Sequence, residues 1–427
     1  MQENIDGMVM RIKNGDFDEK FQNLYVDPRL KELQKERYLR ALNQFRTIYG
    51  DSSAEVYSAP GRTEIGGNHT DHQYGKVLAA SVNLDAIAVV SKREDNNVLF
   101  HSEGYSSVTV NLNDLTAEPR EEGTTAALVR GVAAGMRKWG LKTGGFNAYV
   151  TSQVIGGSGL SSSAAIETLV GNIFSGLFNG GAIDPVRIAQ IGQFAENDYF
   201  GKPSGLMDQM ACSVGGLIHI DFKDPAEPEV KQITVDFERF KHSLCILDTK
   251  GSHADLTPDY AAIPEEMRRV ASYFSKEVLR EVSEEDFYAE LTLLRKYAGD
   301  RAVLRAVHWF DEEKRVDLQA EALKKGDFEQ FKSLIRSSGE SSYKYLQNVY
   351  APHKYKEQSV ALALLLSQKR LGDNAACRVH GGGFAGTIQA FIPDPEVKQY
   401  KNYMEQYFGR DSCYVLKIRP VGGLRVL

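Results

Sequence analysis

The chain has 427 residues, 42% of them hydrophobic and 25% charged, the make-up of an ordinary globular protein with room for two or three domains. A formal net charge of -6, mixed in sign without long runs, gives no electrostatic ground for a nucleic acid or an anionic membrane as partner. Residues 1–50 lack the continuous apolar stretch of a secretory signal. The greasiest windows, 77–90 (interrupted by Asn83 and Asp85) and 360–366, do not suit a bilayer span. Cys212, Cys245, Cys377 and Cys413 lie far apart with no Cys-x-x-Cys pair, so reduced, mostly buried thiols of a cytoplasmic protein are expected and a cysteine-type zinc site is not.

In chain order, residues 27–49 place Leu30, Leu33, Tyr38, Leu39, Leu42, Phe45 and Ile48 near helical spacing, which predicts a helical extension over residues 1–50. From Glu55 to about Ser107 the pattern is that of strands, over 77–80 and 86–91 with a partly polar stretch between them, then 98–102. A loop at 116–123 leads to a helix over 126–139 and a strand over 146–150. The run Ile166, Leu169, Val170, Ile173, Phe174, Leu177, Phe178 reads as a buried helix. Asp184-Pro185 is a capping residue followed by proline at the first helical position, so another helix runs from there through Glu196. Farther on come strands over 217–222 and 244–247, helices between 263 and 323, a helix over 360–371, and strands over 377–380 and 387–392. A composition shift near 221–229 marks a domain boundary, giving segments 1–50, 51–222 and 223–427.

The stretch Gly156-Gly157-Ser158-Gly159-Leu160-Ser161-Ser162-Ser163-Ala164-Ala165 opens the buried helix. Backbone N–H groups at a helix N-terminus converge with the positive end of the helix dipole and make an anion site. Glycines alone suit any tight turn, but three consecutive hydroxyls can also donate to phosphate oxygens or bind a metal. No Gly-Lys-Ser or Gly-Lys-Thr follows such glycines, so the loop is not a Walker A element. Gly381, Gly383 and Gly386 spell Gly-x-Gly-x-x-Gly, yet a strand rather than a helix follows, so they read as a strand-to-strand turn and not a dinucleotide site.

Two polar constellations remain. In Glu196-Asn197-Asp198 through Lys202-Pro203-Ser204-Gly205-Leu206-Met207-Asp208-Gln209, two carboxylates are available to hold magnesium and to accept a hydroxyl proton; alternatively Glu196 is solvated and Asp208 caps a helix. In Gly61-Arg62-Thr63-Glu64-Ile65-Gly66-Gly67-Asn68-His69-Thr70-Asp71-His72, a dense polar cluster suits a polyhydroxylated ligand, with a His69, Asp71, His72 metal site as the less favoured alternative.

In that chain order the Gly61 stretch, the Gly156 loop and the Gly381 turn resemble the three motifs of the GHMP kinase superfamily, and within it the galactokinase family. The resemblance spans most of the chain. It implies an α+β fold of two domains, the N-terminal one ribosomal-protein-S5-like and the C-terminal one ferredoxin-like, with the active site between them. It implies phosphorylation of galactose at the anomeric hydroxyl by ATP with Mg2+, the partners being a hexose and ATP and the assembly a monomer or small homo-oligomer. By position, Gly157, Ser158, Gly159, Leu160, Ser161, Ser162 and Ser163 would wrap the ATP phosphates. Ser163 and Glu196 would hold magnesium, Asp208 would be the catalytic base, and Arg62 would stabilise the transition state. Asn68, His69, Thr70, Asp71, Gly205 and Tyr260 would contact the sugar.

The first motif departs from the family signature Gly-Arg-x-Asn-x-Ile-Gly-Glu-His-Thr-Asp-Tyr. Glu64 stands where the family has Asn, Asn68 where it has Glu, and His72 where it has Tyr. A neutral amide at 68 would not repel a carboxylate at C6, so galacturonate is an alternative substrate to galactose. Some relatives are sugar sensors without turnover, but Ser163-Ala164-Ala165, Arg62, Glu196 and Asp208 keep the parts catalysis needs. A mevalonate or homoserine kinase would not need the polar cluster at 68–71.

Overall fold

The structure is a computed structural model that describes every residue except 1, 2, 155, 157, 158, 203, 253 and 254. The phosphate-loop candidates Gly157 and Ser158 lie outside the described residues. The chain divides into two compact units, one of Met1–Arg62, Ala80–Gly216 and Lys417–Leu427, the other of Thr63–Ala79 and Leu217–Leu416.

The first unit opens with a short strand β1 (Glu3–Asn4) and helices α1 (Ile5–Asn14), α2 (Asp18–Tyr25) and α3 (Lys31–Tyr49). The Asn4 side chain caps α1 by accepting from the Asp6 N–H, and Ile5, Met8 and Ile12 bury one face of it. The predicted helix over 27–49 begins as a single turn, Pro28–Leu30, before α3 takes over. Strands β2 (Ser53–Gly66), β3 (Lys76–Lys92), β4 (Asn97–Ser102) and β5 (Val108–Asn111) follow, then α4 (Thr125–Lys138), β6 (Phe146–Ser152), α5 (Ser162–Phe178), α6 (Pro185–Asp198) and α7 (Met207–Val214). Alternation along β3 explains the layers, because successive side chains leave a strand on opposite faces. Ile87 and Val89 join Phe21, Tyr38, Leu42 and Phe45 in one core, while Ala86, Ala88 and Val90 join Val129, Leu169, Phe174 and Ile191 in another. Asp184 caps α6 through the Val186 N–H with Pro185 at the first turn, as its sequence predicts.

One expectation fails in this unit. The two strands predicted over 77–80 and 86–91 are a single strand, because the polar residues between them are buried with partners. Asp85, fully buried, accepts from Arg37 Nη1 at 2.5 Å, Tyr25 OH at 2.9 Å, Ser58 Oγ at 2.5 Å and Arg419 Nη1 at 3.2 Å. The Asn83 Oδ1 takes the Lys417 N–H at 2.9 Å. Satisfied in this way, neither residue has to leave the sheet.

The second unit contains the antiparallel pair β7 (Leu217–Asp221) and β8 (Glu229–Ile233), then β9 (His242–Asp248) and helices α8 (Thr257–Tyr273), α9 (Glu284–Ala289), α10 (Leu291–Ala298), α11 (Asp300–Lys325) and α12 (Phe328–Ser341). It ends with α13 (Ser359–Leu371), β10 (Ala376–His380), β11 (Thr387–Pro393), α14 (Val397–Phe408) and β12 (Cys413–Leu416). The sheet order is β10-β11-β9-β12, antiparallel throughout. With α13 and α14 as its helices this is the β-α-β-β-α-β arrangement of a ferredoxin-like domain, into which α8–α12 are inserted after β9. The Gly381, Gly383, Gly386 segment is the turn of the β10–β11 hairpin, which is the strand-to-strand role expected of it.

Candidate active site

In the first unit the glycine and serine loop delivers its residues to the N-terminus of α5. Ser161 immediately precedes the helix with φ 57°, the left-handed region that a residue other than glycine rarely adopts, and its side chain makes no capping hydrogen bond. Its Oγ donates instead to Asp208 Oδ2 at 2.5 Å. Ser162 and Ser163 form the first turn of α5, where backbone N–H groups have no partner within the helix.

Asp208 belongs to the first turn of α7 but does not cap it. Its carboxylate is gripped by Arg62 from the end of β2, with Nε to Oδ1 at 2.6 Å and Nη2 to Oδ2 at 2.8 Å, a two-pronged pair between side chains 8% and 18% exposed. The remaining Arg62 nitrogen donates to Gly159 O at 2.6 Å, and the Arg62 N–H donates to Leu160 O at 3.1 Å, which fixes the guanidinium against the loop. Burial alone would push the Asp208 carboxyl up. Arg62 more than offsets that, with help from Lys202 and the Ser161 hydroxyl, and holds it at about 2. Asp208 is an anion at every physiological pH.

At the second residue of α5, Ser163 Oγ donates to Glu196 Oε1 at 2.7 Å. Glu196 is fully buried near the C-terminal end of α6 and also receives Lys202 Nζ at 2.9 Å, Ser204 Oγ at 2.7 Å and Gln209 Nε2 at 2.6 Å. Gln209 donates equally to Glu167 Oε2 at 2.9 Å, so one amide bridges two buried carboxylates. Burial and the neighbouring Glu196 raise the Glu167 carboxyl well above its ordinary range. Burial works against the Lys202 ammonium, yet Glu196 and Asp208 leave it raised. Glu167 was not singled out by sequence, and Lys202 and Gln209 were noted only as part of the 196–209 constellation, with no role. Glu167 lies four residues beyond Ser163 on the same helix face, and that spacing is the signal that could have found it.

The second polar constellation lies in the second unit, on the turn after β2. His69 takes φ 60° and its Nε2 lies 3.0 Å from Gly382 O of the β10–β11 turn. Burial, then the adjacent His72, lower its imidazole to about 3, so the ring is neutral. Tyr260, on α8, donates to Gly383 O at 2.9 Å, and burial and then Asp259 push its hydroxyl up to about 12. Asp71 accepts the His72 N–H at 3.0 Å and keeps a partly exposed carboxylate. Thr70 is fully buried, its one hydroxyl proton shared between Gly67 O at 2.9 Å and Lys76 O at 2.5 Å. Asn68 is buried as well, with its amide bonded to Gly381 O, Glu64, Asn348 and Ser342. Gly205, in the first unit, precedes α7 by two residues and Asp208 by three.

Comparison with known proteins adds to this geometry. Residues 43–92 match the galactokinase galactose-binding signature and residues 127–216 the N-terminal domain of GHMP kinases. A galactokinase of Limosilactobacillus reuteri is 27% identical over 84% of this chain and 91% of its own length, and one of Streptomyces coelicolor is 28% identical over 90% and 97%. The crystal structure of Lactococcus lactis galactokinase complexed with galactose superposes with a TM-score of 0.78, covering 91% of this chain and all of that one at 24% identity, a likeness of fold. The segments carrying the first two motifs are thus similar to the galactokinase signature and the GHMP kinase N-terminal domain, and the chain as a whole is similar to galactokinases over nearly their full length.

Proposed function

We propose that the protein is a galactokinase, transferring the γ-phosphoryl group of ATP to the anomeric hydroxyl of galactose to give galactose 1-phosphate. The observation that carries this reading is the Arg62, Asp208, Ser161 cluster at the mouth of α5, in which an ionised carboxylate and a fixed guanidinium stand beside a helix N-terminus. The N–H groups of Ser162 and Ser163 with the serine hydroxyls bind the triphosphate, as an anion at the positive end of α5. The hexose is read by His69, Asp71, Gly205 and Tyr260.

Asp208 accepts the proton of the attacking hydroxyl. With its carboxyl held at about 2 it is a weak base, so it cannot strip the hydroxyl beforehand. The proton instead crosses to a carboxylate oxygen as the new O–P bond forms and ADP leaves. Arg62 faces the negative charge that develops during transfer and is already held in place by Asp208 and Gly159 O.

Ser163 and Glu196 fit a magnesium ion. They supply a hydroxyl and a carboxylate in contact, hard oxygen donors of the kind Mg2+ takes, and the buried Glu196 already draws the Lys202 ammonium to the same oxygen. When bound there the ion supplies charge neutralisation for the phosphates. We place the reaction in the cytoplasm, in keeping with four free cysteines, three of them buried. Among the described residues no helix is long and apolar enough to cross a membrane.

The test is ADP release with Mg-ATP against galactose, galacturonate, N-acetylgalactosamine, glucose, fucose and no sugar, with Asp208→Asn as control. Galactose-dependent release that falls by roughly 10²- to 10⁴-fold in the variant is the expected result. Nucleotide binding without turnover of any sugar would sink the kinase reading.

A further inference from the structure

An asparagine amide has two N–H donors and two acceptor lone pairs. In Asn68 all four are engaged by this chain. Nδ2 donates to Gly381 O at 2.7 Å and to Glu64 Oε1 at 3.2 Å, and Oδ1 accepts from Asn348 Nδ2 at 2.8 Å and Ser342 Oγ at 3.3 Å. The Asn68 carbonyl receives His308 Nε2 at 2.9 Å, and the residue is 0% exposed. A side chain in that condition has no hydrogen bond left to give a ligand, and turning it toward one would orphan several buried groups.

Glu64 supplies the rest of the argument. It is buried, and Arg378 Nη2 reaches both its carboxylate, at 2.7 Å, and its own carbonyl, at 3.1 Å. Measured against the signature, positions 64 and 68 have exchanged carboxylate and amide, and the two exchanged groups touch. The pair as a whole still carries one carboxylate, which Arg378 neutralises.

We propose that Asn68 is a positioning residue and not a sugar contact. Glu64, Asn68 and Arg378 act as one compensated unit that pins the 67–71 turn against the Gly381–Gly383 turn and so fixes His69 and Asp71. The amide at 68 is the counterpart of the carboxylate at 64, so it does not mark a C6-acid substrate, and the hexose accepted is the neutral one. This rests on the galactokinase reading above.

The test compares the kinetics of wild type, Asn68→Asp and the double variant Glu64→Gln with Asn68→Asp, each with galactose and with galacturonate. Asn68→Asp sets a carboxylate against Glu64 and Gly381 O, and kcat/KM for galactose is expected to fall by about a hundredfold, mostly in kcat. Glu64→Gln restores an amide facing a carboxylate, and about tenfold or more of the loss returns. Galactose stays preferred in all three proteins. Should Asn68→Asp alone fail to fold, recovery of a folded, active protein in the double variant is the same rescue. A rise confined to the KM for galactose in Asn68→Asp, with no rescue by Glu64→Gln, overturns the proposal, as does a wild-type preference for galacturonate. Wild type inactive on every hexose would instead sink the galactokinase reading itself.

Discussion

Replacing Arg62 with methionine keeps an unbranched side chain in place and removes the charge that governs Asp208. The carboxyl stands at about 2 against an ordinary 3.8, a net shift worth ~2.4 kcal/mol at ~1.36 kcal/mol per unit. That net figure already contains the opposing push of burial, so the contribution of Arg62 is larger than the shift. Without Arg62, burial favours the neutral acid and only Lys202 and the Ser161 hydroxyl favour the anion. The carboxyl is then expected to rise by about two units or more, past its ordinary value. An acid whose pKa rises becomes protonated at higher pH, and a protonated Asp208 cannot accept the hydroxyl proton. Wild-type kcat/KM, followed by ADP release from pH 9 down to 4, should therefore show no acid limb due to this residue. Arg62→Met should lose activity as the pH falls below about 5, on top of a fall of about a hundredfold at every pH from the missing charge stabilisation. The vertical drop and the moved limb are separate readouts. A variant whose profile is displaced downward with an unmoved acid limb would refute the claim that Arg62 sets the ionisation of Asp208.

Two further outcomes follow from the first unit. Glu196→Gln keeps the shape of a side chain held by Ser163, Ser204 and Gln209 but removes its charge, so the magnesium concentration giving half-maximal rate should rise by about tenfold or more; a magnesium titration with an unmoved midpoint would exclude Glu196 as a ligand. Asp85→Leu leaves the guanidinium groups of Arg37 and Arg419 buried without their shared carboxylate, and denaturant unfolding should show a loss of about 3–5 kcal/mol, a loss under ~1 kcal/mol counting against the account of β3 given above.

What could be read from sequence was what neighbours in the chain decide. The α6 start was legible because Asp184 and Pro185 do their work within two residues, and the α5 loop because its glycines and serines are contiguous. The continuity of β3 was not, since Asp85 is made tolerable by Arg37, 48 positions before it, and Arg419, 334 positions after it. The helical extension over residues 1–50 was legible as a whole, but its division into α1, α2 and α3 was not, because the apolar positions quoted for it begin only at Leu30 and charged residues surround Ile5, Met8 and Ile12.

The site divides in the same way. Residue type is local: it marked the polar stretch 61–72 as suited to a polyhydroxylated ligand, and the family resemblance then nominated Asn68, His69, Thr70 and Asp71 together. Whether a polar group is still available to a ligand depends on partners that sequence does not show. For Asn68 one of those partners lies 313 residues away in the β10–β11 turn. Once partners are counted, the four separate: Asn68 has spent all its hydrogen bonds and Thr70 its one hydroxyl proton inside the protein, His69 Nε2 faces Gly382 O, and Asp71 keeps a carboxylate with 12% of its side chain exposed. The same count explains why an exchange of Glu and Asn within one signature need not alter what the enzyme accepts. A substitution changes specificity when it alters a group that faces the ligand, and Glu64 and Asn68 face each other.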